Sequence, residues 1–170
     1  MWVYYKALES CINYVEKMFT ASTVTCDFEQ ALIETAKAFF IPKSSSNQPK
    51  CSIVLCLFRL KQSLHRKLTK LSLHRNKISS FLGEGGLFDI LTVIPPSEIK
   101  SFGIPFVRSQ IMGNEEIWRK FWDYFEDNYL GKRYSPYDWN LHPVLQRQDN
   151  EGQTILRNRT NNALERSIVL

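Results

Sequence analysis

The chain has 170 residues, which indicates one domain or one incomplete domain. Hydrophobic residues make up 44% of it and aromatic residues 13%, so the composition excludes a disordered tail, a collagen and a low-complexity linker. The longest apolar run, residues 53–58, is far shorter than the roughly 18 residues that a membrane-spanning helix needs. We therefore expect no membrane partner, and we expect no secretory signal.

Charge is segregated along the chain. The net charge is +5, from 22 basic and 17 acidic residues. The segment from Thr35 to Gly83 contains ten lysines and arginines and no aspartate or glutamate, so the remainder is acidic overall. A basic block of this kind predicts a polyanionic partner, most simply nucleic acid. The alternative is an ordinary solvated helix face, and charge alone does not decide between the two.

The first half of the sequence alternates between helical and strand patterns. Apolar residues recur with helical spacing over 2–19, 28–40 and 60–73. Two short apolar segments, 23–26 and 51–57, are typical of buried strands. The order helix–strand–helix–strand–helix predicts a parallel pair of strands joined by crossover helices.

The second half is predicted to be mostly helical. Glycine and proline interrupt residues 78–112, which favours several short helices. Residues 115–130 form a strong helical pattern that Gly131 is expected to end. We expect the aromatic face of this helix to be core, but in an incomplete fold it would be exposed and promote self-association. That face consists of Trp118, Phe121, Trp122 and Phe125.

Two acidic residues are candidates for chemistry. Asp27 directly follows the first predicted strand, and ligands of open α/β sheets bind at the carboxyl ends of strands. The alternative is that Asp27 caps a helix beginning near Phe28. Glu165 lies in a segment that favours the first turn of a helix, where an acid is also ordinary. A strand-end carboxylate and a helix carboxylate together could hold Mg²⁺, although two-metal phosphodiester chemistry normally needs a third acid.

The cysteines do not predict a zinc site. None of the four forms a Cys-x-x-Cys pair, and we interpret them as buried thiols of a reducing, intracellular compartment. After the second strand, the sequence Cys56-Leu57-Phe58-Arg59 has an arginine where a Cys-x-x-His pair would need histidine.

Several segments, taken in order, resemble the MULE (Mutator-like element) transposase domain. They cover nearly the whole chain, and the most specific are the first and the last. They are Cys26 to Ile33, Leu55 to Lys67, Phe121 to Phe125, Trp139-Asn140 and Arg159 to Glu165, the last containing Asn161 and Asn162.

The resemblance implies an α/β, RNase H-like fold with a mostly helical insertion before the last helix. It implies a partial core over 1–77, the insertion over 78–150, and the start of a C-terminal core helix over 151–170. It also implies DDE chemistry on DNA, with Mg²⁺ or Mn²⁺ held by acids that include Asp27 and Glu165, and a nuclear location. The family's first acid lies upstream of the opening helix, so we expect an incomplete fold and no catalysis by the chain as it stands.

A second hypothesis is a retained, non-catalytic module that binds nucleic acid. It depends on the basic block alone, and phosphate binding by such a block should weaken steeply with salt. The residues expected to carry it are Lys61, Arg66, Lys67, Lys70 and Arg75.

Overall fold

A computed structural model describes residues 2–15, 23–41, 52–131 and 133–148. These residues form a mixed α/β structure that is mostly helical and contains a small parallel sheet. The chain divides after Cys56 into two compact units, which are described separately below. The segment boundaries expected after residues 77 and 150 stay predictions.

The first unit contains the sheet. Strands β1 and β2 pair in parallel, with Thr23 opposite Ser52 and Cys26 opposite Leu55. This confirms the predicted parallel pair, which needs a crossover connection because both strands run in the same direction. The elements of this unit are α1 (Trp2–Val15), β1 (Thr23–Cys26), α2 (Gln30–Phe40) and β2 (Ser52–Leu55).

Helix α2 begins later than the sequence predicted. Its N-cap position is Glu29, so the alternative in which Asp27 caps a helix from Phe28 is wrong. The side chain of Glu29 makes no capping bond and instead accepts a hydrogen bond of 2.7 Å from the Tyr4 hydroxyl of α1. Three residues of α2 are buried, namely Ile33, Thr35 and Ala36, and the two apolar ones form the helix's apolar stripe.

The second unit consists of helices joined by turns, with no strand in the part of it that the structure describes. No single described helix is long and apolar enough to cross a membrane, although Arg75–Val93 and Pro96–Ser109 have the length and composition together across a 99° bend. Short 3₁₀ or π turns cover Leu87–Asp89, Pro96–Glu98 and Ile99–Gly103. The α-helices are α3 (Leu57–Lys70), α4 (Arg75–Leu82), α5 (Ile90–Val93), α6 (Ile104–Ser109), α7 (Glu115–Tyr129), α8 (Pro136–Trp139) and α9 (His142–Gln148).

Helix α3 is the amphipathic basic helix that the sequence predicted, but it begins and ends three residues earlier than expected. The sequence indicated 60–73 because the apolar run from Ile53 continues through Phe58 and looks like strand. In the structure the strand stops at Leu55, and α3 starts at Leu57. The helix buries one leucine stripe in the second unit, and its Ser63 accepts a hydrogen bond of 2.9 Å from the Tyr129 hydroxyl of α7. The stripe consists of Leu57, Leu60, Leu64 and Leu68.

An aromatic core organises the second unit. The ring of Phe81, on α4, contacts the rings of Phe88 and of three aromatic residues on α7 with mostly perpendicular geometry at centroid distances of 5.0–6.0 Å. Perpendicular ring pairs place the positive edge of one ring on the negative face of another. The predicted aromatic face of α7, formed by Trp118, Phe121, Trp122 and Phe125, is therefore core in this unit, as expected, and Tyr129 of the same helix is buried as well.

A buried asparagine joins α5 to the segment after α8. The Asn140 side chain is 1% exposed and donates from Nδ2 to the carbonyl oxygens of Leu91 and Ile94, both at 2.9 Å. Its Oδ1 accepts the backbone N–H of His142 at 2.8 Å. Both donors and the acceptor of the amide are thus satisfied, as a buried polar side chain requires.

We expect Asn140→Asp to destabilise the protein strongly. The substitution removes both donors and faces a carboxylate toward two buried carbonyl oxygens, which should lower the free energy of unfolding by roughly 3 kcal/mol. Chemical denaturation measures the change. The matched control is Asn76→Asp, because Asn76 is exposed in the first turn of α4, where an acid is favoured and should cost about 0.5 kcal/mol or less. If both variants lowered the free energy of unfolding equally, the result would contradict the three hydrogen bonds of the Asn140 side chain.

Candidate nucleic-acid interface

The surface formed by α3 and α4 lacks acidic residues. From Leu57 to Gly83 the sequence has seven lysines and arginines, two histidines and no aspartate or glutamate. Both helices are amphipathic, and burying their apolar stripes leaves the basic side chains on the outside. We name this surface the basic face.

Five cations on the basic face are exposed; Arg59 donates to Gln62, and Lys77 donates to the carbonyl oxygen of Met112. The other three are Arg66, Lys70 and Arg75. Arg66 and Lys70 are four residues apart on α3, so their side chains lie on the same side of the helix. Arg75 lies at the first position of α4, where the helix dipole disfavours a cation and no acid compensates it. Among the described residues, none of these three side chains takes part in a salt bridge. Their charge is available to an anionic ligand.

Two other cations of the basic face are held by neighbouring groups. Lys61 forms an ion pair with Asp89 and donates to the carbonyl oxygen of Gly83 at 3.1 Å. Lys67 places its ammonium 4.6 Å from the ring centroid of Tyr124, in a cation–π contact. Since Asp89 neutralises Lys61, we expect Lys61 to contribute less to anion binding than the exposed cations do.

A groove of about 550 Å³ runs between α3 and α4. Three apolar side chains line it, namely Phe58, Ile78 and Leu82, and Phe58 is half-buried. No acidic residue lines it, so its charged lining is entirely basic. The polar and charged residues that line it are Lys61, Gln62, His65, Arg66 and Ser79.

The charges of α7 are arranged differently. Arg119 donates to Glu116 at 2.8 and 3.1 Å, and Lys120 lies 3.1 Å from the same carboxylate. The hydrogen bonds from Arg119 and then Lys120 hold the pKa of Glu116 at about 2. Arg119 also lies 3.6 Å from Asp123. Positive charge on α7 is therefore neutralised within the helix, unlike that of Arg66, Lys70 and Arg75.

The predicted metal site is only partly within the described residues. Asp27 directly follows β1 and is half-buried, at the carboxyl edge of the parallel pair as the sequence indicated. No cluster of three or more histidine, cysteine, aspartate or glutamate side chains able to hold a metal occurs within 2–15, 23–41, 52–131 and 133–148. Glu165, Asn161 and Asn162 lie outside the described residues.

The two residues of the predicted Cys-x-x-Arg motif have separate roles. The Cys56 thiol is free and buried, and its backbone N–H donates to the carbonyl oxygen of Cys26 at 2.7 Å, which extends the strand pairing. Arg59 is exposed in the first turn of α3 and donates from Nη1 to Gln62 at 3.3 Å. The structure therefore gives Cys56 a place in the sheet's backbone bonding and Arg59 a place on the exposed side of α3.

The sequence analysis missed the apolar and neutral lining of the groove. Phe58, Gln62 and His65 follow a helical spacing of four and three on α3, which is a readable signal for a shared face. The contribution of α4, Ile78 and Ser79, has no such signal, because its position beside α3 depends on tertiary packing.

Comparison with known proteins does not identify the chain. No family model, no curated protein and no solved structure matches it.

Proposed function

We propose that this protein binds nucleic acid through the basic face. The observation that carries the proposal is that residues 57–83, over α3 and α4, contain seven lysines and arginines and no acidic residue, and that Arg66, Lys70 and Arg75 among them are exposed. Exposed cations on an acid-free surface neutralise phosphates and release the counterions condensed on the polymer. Binding of this kind needs no particular base sequence.

The salt dependence of binding tests this proposal. Fluorescence anisotropy with a labelled oligonucleotide measures the affinity. The logarithm of the association constant should fall linearly with the logarithm of the salt concentration between about 50 and 200 mM, with a slope of about −0.7 to −0.9 for each phosphate contacted. We expect a slope of about −2 to −3 from three contacts. Absence of binding at the lowest salt, or binding independent of salt, would overturn the proposal.

We further propose that the chain is a segment of a MULE-type DDE transposase with an RNase H-like fold. The order of the resembling segments supports this, and so does an aspartate at the end of a strand in a parallel pair. On this proposal the protein is nuclear, its partner is DNA, and Asp27 and Glu165 correspond to two of the family's metal-binding acids. A basic face would suit such a protein because the substrate is a polyanion.

The catalytic part of this second proposal has its own test. Metal-dependent nicking of supercoiled plasmid that Asp27→Asn abolishes would support Asp27 as a metal-binding acid. Nicking that persists unchanged in Asp27→Asn would overturn the assignment of Asp27.

A further inference from the structure

The lining of the groove between α3 and α4 is suited to the base of a nucleotide as well as to its phosphate. Its lining combines the half-buried ring of Phe58 and the aliphatic side chains of Ile78 and Leu82 with the guanidinium of Arg66. A surface that contacts only phosphates needs cations and neutral hydrogen-bond donors, and apolar side chains contribute nothing to phosphate binding. Because Ile78 and Leu82 are buried, Phe58 supplies most of the apolar surface that a ligand can reach, and its ring suits a flat, uncharged ring of the ligand.

The size and shape of the groove favour a single strand over a duplex. The groove is open, and its volume of about 550 Å³ is within the range of sites that bind a ligand of small-molecule size. In a duplex the bases are stacked inside, so a protein must flip a base outward before a ring can enter such a groove. In a single strand the base faces are accessible, and proteins commonly hold them on aromatic side chains inside positively charged grooves.

The spacing along α3 fits this arrangement. Phe58 and Arg66 are eight residues apart, and eight residues of α-helix span about 12 Å. Gln62 and His65 lie between them on the same face of the helix and line the same groove. The aromatic wall and the exposed cation are therefore at opposite ends of one continuous, acid-free lining.

We propose that this groove holds a single-stranded segment of nucleic acid, with one base against Phe58 and a neighbouring phosphate at Arg66. The proposal rests on the proposed function and adds the form of the ligand. Two other exposed cations, Lys70 and Arg75, lie outside the groove lining and contact phosphates of either form.

The test measures the affinity of three variants, two at Phe58 and one at Arg66, for single-stranded and duplex oligonucleotides of the same sequence. Phe58→Leu keeps an apolar side chain but removes the aromatic face, and it should weaken single-strand binding about 5- to 150-fold and leave duplex binding unchanged. Phe58→Trp should retain single-strand binding, which shows that the aromatic ring and not merely the position matters. Arg66→Gln should weaken both. Thermal melting of each variant confirms that the fold is retained.

The outcomes separate this inference from the proposed function. If Arg66→Gln weakens binding and Phe58→Leu does not, the basic face binds nucleic acid and the single-strand groove is wrong. If adenosine monophosphate alone displaces the oligonucleotide with equal affinity, the groove is a mononucleotide site and the inference is also overturned. If no variant binds differently from the wild type, both proposals fail.

Discussion

Replacing Phe81 with alanine is expected to lower the free energy of unfolding by about 3–5 kcal/mol. Phe81 is 2% exposed, and its ring contacts the rings of Phe88, Trp118, Phe121 and Trp122. The substitution leaves a cavity at the point where α4 meets α7, and the surrounding rings are too rigid to fill it. A loss of this size is a large fraction of the total stability of a domain.

Thermal melting and chemical denaturation measure this effect. For a chain of this length, the expected loss corresponds to a fall in the melting temperature of about 6–20 °C. Phe102→Ala is the matched control, since Phe102 is 56% exposed and contacts only the ring of Phe106 among the described aromatic residues. It should cost about 1 kcal/mol or less. If the two substitutions cost the same, Phe81 is not at the centre of the core.

The second large effect concerns the exposed cations of the basic face. We expect the combined variant Arg66→Gln, Lys70→Gln and Arg75→Gln to weaken nucleic-acid binding at least about tenfold at low salt. The logarithmic salt slope should become shallower by about 2–3, because each lost contact removes nearly one released counterion. Glutamine is a good helix former, so the helices should be retained.

A second triple variant separates local contact from net charge. Lys100→Gln, Arg108→Gln and Lys120→Gln remove the same number of positive charges from exposed positions outside the basic face. Lys100 and Lys120 are already near Glu126 and Glu116, so their charges are partly compensated. This variant should bind within about twofold of the wild type if the basic face makes the contacts. Equal weakening in both triple variants would mean that only net charge matters.

Much of the fold was predictable from local patterns. The β-branched segment at Thr23 predicted β1, and the leucine stripe through Leu60 and Leu64 predicted α3 because burial repeats with the helical period. The end of β2 was misjudged, since the run from Ile53 to Phe58 is apolar without a break. Periodicity cannot distinguish a buried strand from the first turn of a buried helix in so short a run.

The candidate site was predictable in its charge but not in its shape. An absence of acids over α3 and α4 is visible in the sequence, and it pointed to Lys61, Arg66, Lys67, Lys70 and Arg75. The sequence could not show that Lys61 is neutralised by Asp89, because the two are far apart along the chain and meet through tertiary packing. For the same reason it gave no sign that Ile78 and Leu82 of α4 would face α3 and complete a groove.

Amide NMR of the whole chain during titration with a single-stranded oligonucleotide tests binding by the basic face directly. Binding there predicts that chemical-shift changes concentrate in residues 57–83, with the strongest near Phe58, Arg66 and Arg75, and that the amides of α7 near Glu116 change little. Shift changes that are absent at saturating oligonucleotide, or that concentrate on α7, would contradict binding by the basic face.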